Sequence, residues 1–306
     1  MTEPQLIRPP YLQKGDCIGI VSPARKIGFE EVHPAIKTFQ KWGLEVVLGT
    51  HVFHGKDQFA GTDEQRYTDF QQMLDDPSIK AISCSRGGYG TIRIIDRLDF
   101  KSFPGNPTWI TGYSDVTVLH SHLQQVVKAE SLHATMPVNF PSDGSASASL
   151  ESLRSALFGE PLIYHLPMSP LNRKGSCDGL LVGGNLSVLY SLMGSRSMVQ
   201  TRGRILFLED VDEYLYHMDR MMINLLRAGV LNDLAGLVAG GLSRMNDNAV
   251  PYGQTAQEII AAAVSGFDYP VCFDFPAGHE EINLAMILGR RVKMDVNDEV
   301  KLIFDA

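Results

Sequence analysis

The chain has 306 residues, 44% hydrophobic and 20% charged, the balance of a soluble globular protein with one large domain or two ordinary ones. Its formal net charge is −8 and no run of Lys and Arg marks a phosphate-binding face, so a nucleic-acid partner is not expected. No stretch approaches the ~18 apolar residues of a membrane span, and the start, Met1-Thr2-Glu3-Pro4, lacks the basic and apolar segments of a signal peptide, which makes a cytoplasmic protein the default. The four cysteines, Cys17, Cys84, Cys177 and Cys272, form no Cys-x-x-Cys pair, so neither a zinc site nor a disulfide framework is indicated.

The first half alternates strand and helix signals. Cys17 to Val21 is a short apolar strand pattern that ends at Ser22-Pro23-Ala24. Val32, Ile36 and Phe39 follow at helical spacing, and Gly43 closes that helix. Leu44 to Leu48 reads as the second strand. Thr62-Asp63-Glu64-Gln65 has the spacing of a capping box, and Tyr67, Phe70 and Leu74 give the helix it opens a buried face. Lys80 to Cys84 is the third strand, and Arg86-Gly87-Gly88-Tyr89-Gly90 is expected to turn into a helix carrying Ile92, Ile95 and Leu98. Thr108 to Thr111 is the fourth strand. A helix pattern of Val116, Leu119, Leu123 and Val126 or Val127 follows, and Glu130 to His133 reads as the fifth strand. Strands separated by helices imply right-handed crossovers and a doubly wound, flavodoxin-like parallel sheet, whose ligands bind at the carboxyl ends of the strands.

From Phe140 to Lys174 the pattern weakens, with one short helix at Leu150 to Phe158 among prolines and small residues. The expected division is residues 1–140, a connection at 141–174, and 175–306. The last unit is expected to be a mixed β domain with flanking helices. Its strands are Leu180 to Val182, Arg204 to Leu208, Leu234 to Ala239, Val271 to Phe275, Ala285 to Val296 and Val300 to Phe304, with a helix from Tyr214 to Ala228.

The turn Gly112-Tyr113-Ser114-Asp115 joins a strand to a helix. A serine there, two residues after a glycine, has the setting of a nucleophile elbow, with the Asp115 amide free at the helix start to bind an oxyanion. Ser114-Asp115 also reads as an ordinary helix N-cap. A serine nucleophile needs a base and an orienting acid. Of nine histidines, His33 and His217 lie among polar helical neighbours, and His51 and His54 sit in a loop. His120 and His122 belong to the helix after Ser114, His133 ends a strand, and His165 lies in the connection. His279 is best placed, in Pro276-Ala277-Gly278-His279 directly after a strand. Two acids compete to orient it. Glu209 stands at a strand end and Glu213 near a helix start, with Asp210 and Asp212 close by. The Arg86 turn matches neither a Walker A loop nor a dinucleotide fingerprint, but its glycines suit a second oxyanion donor, and Arg86 suits a ligand carboxylate or phosphate and equally a salt bridge within the fold.

Several ordered stretches carry a resemblance. They are Phe59-Ala60-Gly61-Thr62-Asp63, Arg86-Gly87-Gly88-Tyr89-Gly90, Gly112-Tyr113-Ser114-Asp115, Gly183-Gly184-Asn185-Leu186, Leu208-Glu209-Asp210, Asp219-Arg220-Met221 and Gly278-His279. With these the chain resembles the LD-carboxypeptidase family of serine peptidases, which includes muramoyltetrapeptide carboxypeptidase and the microcin self-immunity proteins. The resemblance implies Ser114 as nucleophile, His279 as base and Glu209 as orienting acid, with an oxyanion hole from the amides of Asp115 and Gly88. It implies a murein-peptide substrate, no metal or cofactor, and a homodimer. Two other readings are an amidase acting on peptidyl or aminoacyl nucleotides, and a non-catalytic binding protein on the same fold. One departure is Glu213-Tyr214-Leu215-Tyr216, which lacks the proline the family often carries after the acid.

Overall fold

The computed structural model describes residues 6–305; the Met1–Pro4 start lies outside them. Two sheets share the chain. In chain order the strands of the first half are β1 (Cys17–Val21), β2 (Glu45–Leu48), β3 (Ile79–Cys84), β4 (Trp109–Gly112) and β5 (Ser131–His133). They lie in the order β2-β1-β3-β4-β5, all parallel, which is the flavodoxin-like winding. Helices α1 (Phe29–Lys41), α2 (Asp63–Asp75) and α3 (Thr117–His122) make its crossovers. The capping box forms: Thr62 accepts from the Gln65 amide while Gln65 returns to the Thr62 amide.

The second half begins with α4 (Ala148–Phe158), β6 (Ile163–Leu166), β7 (Gly175–Asn185), α5 (Leu186–Ser191), β8 (Ile205–Val211) and α6 (Leu215–Arg227). It continues with β9 (Gly236–Ser243), α7 (Ala256–Ala263), β10 (Val271–Cys272), β11 (Met286–Leu288), β12 (Arg291–Val296) and β13 (Val300–Phe304). The second sheet runs β10-β9-β8-β7-β12-β13-β6. Its β7 to β10 portion is parallel, and β12, β13 and β6 are antiparallel, so the sheet is mixed.

Three elements depart from the expected pattern. The Ala285 to Val296 run is not one strand. It breaks at Gly289, and its first part, β11, adds antiparallel to β5 at the edge of the first sheet. Alternating apolar side chains cannot distinguish one long strand from two short ones that serve different sheets. The connection at 141–174 holds the expected short helix as α4, which buries Leu150, Leu153, Ala156 and Leu157, but also the unexpected β6, which pairs with β13. The Arg86 turn leads into two 3₁₀ turns, Thr91–Arg93 and Ile95–Arg97, rather than an α-helix, although Ile95 and Leu98 are buried as their spacing requires. Helices α5 and α7 have no counterpart in the sequence reading.

Candidate active site

Strand β4 delivers the nucleophile candidate. Gly112 leaves the strand at φ 149, where a Cβ would sit 2.9 Å from Val116. Ser114 then takes φ 65, a left-handed conformation that costs a non-glycine residue about 1–3 kcal/mol and persists where the surroundings enforce it. The N-cap reading does not hold: Tyr113 occupies the cap position, and no side-chain cap bond forms. The Ser114 hydroxyl instead lies 3.1 Å from His279 Nε2, and His279 Nδ1 lies 2.7 Å from Glu209 Oε2.

The second sheet supplies both partners. Glu209 sits where β8 slips against β9: Leu208 faces Ala239, but Asp210 faces Leu242, so two residues of β8 span three of β9. Such a bulge re-aims side chains. It leaves Glu209 fully buried and Asp210 on the cleft. His279 follows Gly278, whose φ is 110; a Cβ there would lie 2.6 Å from Glu209 Oε2. The His279 carbonyl accepts from the Ser243 hydroxyl at 2.6 Å, and the Gly278 amide donates to Asn283 at 2.9 Å.

The rival acid is occupied elsewhere, since Glu213 bonds His217 at 2.6 Å. The other histidines also have separate surroundings. His51 pairs with Asp69, His54 with Gln65, His165 with Glu299, and His33 stacks on Phe29. His120 spans the Gly112 carbonyl and the Ser131 hydroxyl, His122 meets Ser197, and burial pushes both down to about 4. His133 is fully buried under Tyr113 and Phe207 and is held well below its ordinary value by that burial. Ser22, at the end of β1, bonds Ser85 and the Val52 carbonyl beneath the surface.

The electrostatics suit a base. Burial lowers the His279 pKa, but the hydrogen bond and charge of Glu209, reinforced by Asp210, outweigh it and raise the value above 6.5. Asp210 is pushed up to about 7 by burial and then by the neighbouring Glu209, despite donors from Val211 and Asn185. The Tyr113 ring stands 4.8 Å from the His279 ring, and burial, with the Glu209 charge, pushes its hydroxyl up to about 12, so it packs as a neutral wall.

The glycine turn closes the far side. A Cβ on Gly87 would lie 2.8 Å from the Ser114 Cβ, so only glycine allows the turn to approach this closely. The buried Asp115 carboxylate accepts from the Thr91 amide at 2.8 Å, tying the turn to the elbow; burial raises its pKa against that bond. Among the described residues, the Asp115 and Gly88 amides donate to no carbonyl or side chain. Phe59 braces the same turn, lying beneath Arg66 and Arg93, which Asp63 bridges, and 6.1 Å from Tyr89. The Gly183-Gly184-Asn185 run fits β7 against the elbow helix, where the Asn185 amide donates to the Thr117 hydroxyl at 3.0 Å. Asp219-Arg220-Met221 lies on α6, apart from this cleft; Met221 is core and Arg220 covers the Tyr216 ring.

These groups line a cleft of about 460 Å³ at the strand ends, within the size of small-ligand sites. Arg25, Arg86 and Arg244 share its walls with Asp210 and Asp212. Arg86 donates to the Lys26 carbonyl and pairs with Glu31 at 3.4 Å. Arg25 and Arg244 were not singled out in the sequence, and Gly87 entered only as one of the glycines of the Arg86 turn. Position just after the apolar run of β9 was the one signal for Arg244. Among the described residues, no group of three or more His, Cys, Asp or Glu could hold a metal ion.

Residues 18–134 match the LD-carboxypeptidase N-terminal domain and residues 178–294 the LD-carboxypeptidase C-terminal domain. A probable murein peptide carboxypeptidase of Bacillus subtilis is 30% identical over 303 residues, covering 97% of this chain and 94% of the relative. The crystal structure of muramoyltetrapeptide carboxypeptidase from Oxalobacter formigenes superposes with a TM-score of 0.86 at 26% identity, over 95% of this chain and 99% of that one. The structure of MccF in complex with glutamyl sulfamoyl guanosine shares the fold, with a TM-score of 0.86 at 21% identity over 99% of both chains. The two family matches together span most of the sequence, and the chain belongs to the LD-carboxypeptidase family.

Proposed function

We propose that this enzyme is a serine LD-carboxypeptidase that removes the C-terminal D-alanine from murein tetrapeptides, with Ser114, His279 and Glu209 as its working triad. The observation that carries the assignment is the continuous chain of contacts from Ser114 Oγ through both His279 nitrogens to the buried Glu209 carboxylate. His279 Nε2 takes the hydroxyl proton as Ser114 Oγ bonds to the scissile carbonyl carbon. The oxyanion is received by the Asp115 and Gly88 amides. As the C–N bond breaks, His279 returns the proton to the departing amine, and water then releases the acyl group by the same route. Glu209 Oε2 accepts from Nδ1–H and so fixes the tautomer that leaves Nε2 free to accept. The murein peptide follows from the names of the relatives, and an acidic peptide suits a cleft with three arginines.

The amidase reading calls for an aromatic platform to hold a nucleobase. Among the lining residues only Tyr113 carries a benzenoid ring, and it already faces His279, which favours the peptide. D-Alanine release from a murein tetrapeptide tests the assignment. Cleavage confined to an aminoacyl sulfamoyl nucleoside would replace it. A cytoplasmic setting fits the four free thiols, which suit a reducing compartment. A homodimer, expected from the family resemblance, is checked by sedimentation.

A further inference from the structure

The direction of the reaction constrains where the substrate's terminal carboxylate lies. His279 Nε2 donates to the departing amine, so that nitrogen sits at His279. In an α-amino acid the carboxylate carbon lies about 2.5 Å from the amine nitrogen across Cα. The cation that holds this carboxylate must therefore approach from the His279 side of Ser114.

Three arginines line the cleft, and they differ in position. Arg25 lies along the glycine turn, its side chain against Gly88, on the oxyanion side. Arg86 extends from the same turn and is committed to Glu31 and the Lys26 carbonyl. Arg244 is different. It directly follows Ser243, whose hydroxyl clasps the His279 carbonyl at 2.6 Å. Its charge acts on both His279 and Tyr113. Among the described residues Arg244 has no ion pair within 4.0 Å and no side-chain hydrogen bond, so its five donors are available to a ligand.

Its backbone is also constrained. Arg244 takes φ 52 and Asp212, on the neighbouring strand end, takes φ 62. The Asp212 amide donates to the Ser243 carbonyl at 3.1 Å, and Asn246 bonds both the carbonyl and the carboxylate of Asp212. Of the seven described non-glycine residues with positive φ, three, Ser114, Asp212 and Arg244, line this one cleft. Strain of this kind collects where a side chain must be held in a working position.

We propose that Arg244 binds the carboxylate of the residue being released and so sets the preference for a free C-terminus. The inference rests on the serine carboxypeptidase reading and adds the residue that makes it an exopeptidase.

The test compares a tetrapeptide ending in free D-alanine with the same peptide ending in D-alaninamide. Loss of a charge-assisted hydrogen bond predicts that Arg244→Gln reduces the acid-over-amide preference in kcat/KM by about 10- to 150-fold. Arg244→Lys should restore part of it, because a point charge remains. An equal loss on both substrates would show a structural role and overturn the proposal. So would a selective loss in Arg86→Gln or Arg25→Gln with Arg244→Gln unchanged. A wild-type protein that cleaves neither peptide removes the underlying reading, and the proposal falls with it.

Discussion

Replacing Glu209 with Gln removes one charge from a fully buried site while keeping the shape of the side chain. Its effect on rate and its effect on the pH profile both follow from the structure. Glu209 Oε2 accepts the His279 Nδ1 proton at 2.7 Å, and this bond with its charge is what holds the imidazole above its ordinary 6.5 against burial. Without the charge, burial becomes the leading influence and the His279 pKa falls. The base works only when neutral, so wild-type kcat/KM should rise with pH through a value above 6.5, and in Glu209→Gln this limb should move to lower pH. At the plateau, loss of the orienting carboxylate in a serine triad costs about 10⁴ in kcat, equivalent to about 5 kcal/mol of transition-state stabilisation. The deficit should therefore be smaller at pH 5.5 than at pH 8. Stability carries the opposite sign. A histidine whose folded pKa is raised contributes stability below its unfolded value and loses it as pH rises through the folded one. The mutant's deficit in Tm from this source should be largest in acid and fade above neutrality. Initial rates of D-alanine release between pH 5 and 9, for Glu209→Gln and Glu213→Gln in parallel, provide the measurement. An unshifted acid limb, or a larger loss in Glu213→Gln, would refute the assignment of the acid.

Ser114→Ala and Ser114→Gly should both lose turnover by about 10⁴-fold or more. They should nevertheless differ in stability: relief of about 1–2 kcal/mol of left-handed strain, less about 0.5–1 kcal/mol of glycine entropy, leaves the glycine variant more stable by roughly 0.5–1 kcal/mol. For 306 residues that is a Tm difference of about 1–2 °C by calorimetry, and an alanine variant as stable as the glycine one would contradict the strain argument. Gly278→Ala places a Cβ 2.6 Å from Glu209 Oε2 and should cost about 10²-fold or more in kcat by displacing the acid from His279; near wild-type turnover would show that the approach is not tight. Glu130→Gln removes the countercharge of the buried Arg290 guanidinium and one of its two acceptor oxygens, which should destabilise by about 3–5 kcal/mol and lower Tm by about 5–8 °C; an unchanged melt would show that the remaining oxygen, Tyr11 and the Asp305 carbonyl suffice.

Much of the site was legible because a parallel sheet sends its strand ends to one edge. Ser114 and the Arg86 turn lie at such ends in the first sheet, and Glu209 in the second. A strand-end residue after an apolar run needs no knowledge of pairing to be recognised. What escaped depends on contacts between distant segments. Met286-Ile287-Leu288 reads as part of a longer strand, and nothing local says that it pairs with residues 131–133. The slip between β8 and β9 that turns Glu209 inward is a property of two strands, not of either sequence. Ser114-Asp115 has the composition of a cap, and only the positive φ and the His279 contact separate a cap from an elbow. Arg244 is a single exposed cation among 27 basic residues, marked in the sequence only by its place after the apolar run of β9 and in the structure by the Ser243 contact to His279.

The working groups are divided between two sheets, an arrangement that in many proteins goes with hinge closure around a ligand. Here the sheets are joined by more than packing. Strand β11 leaves the second half to complete the first sheet, and Gly289 and Arg290 immediately re-enter the second through bonds with Leu181. Arg290 is only 2% exposed and is bonded to Glu130, beside β5. On the other side, Thr117, three residues after Ser114, holds the Asn185 amide. Opening the sheets as rigid bodies would tear the β11 ladder and uncover a buried ion pair, a far larger cost than a loop movement. The proposed triad is therefore held together by the fold itself, and His279 is within bonding reach of Ser114 without closure. Adaptation to substrate then falls to the exposed rim, where Arg25, Asp212 and Arg244 stand, while Glu209 and Asp115 stay buried. Changes of substrate among proteins of this fold should accordingly alter the rim and spare the seam between the sheets.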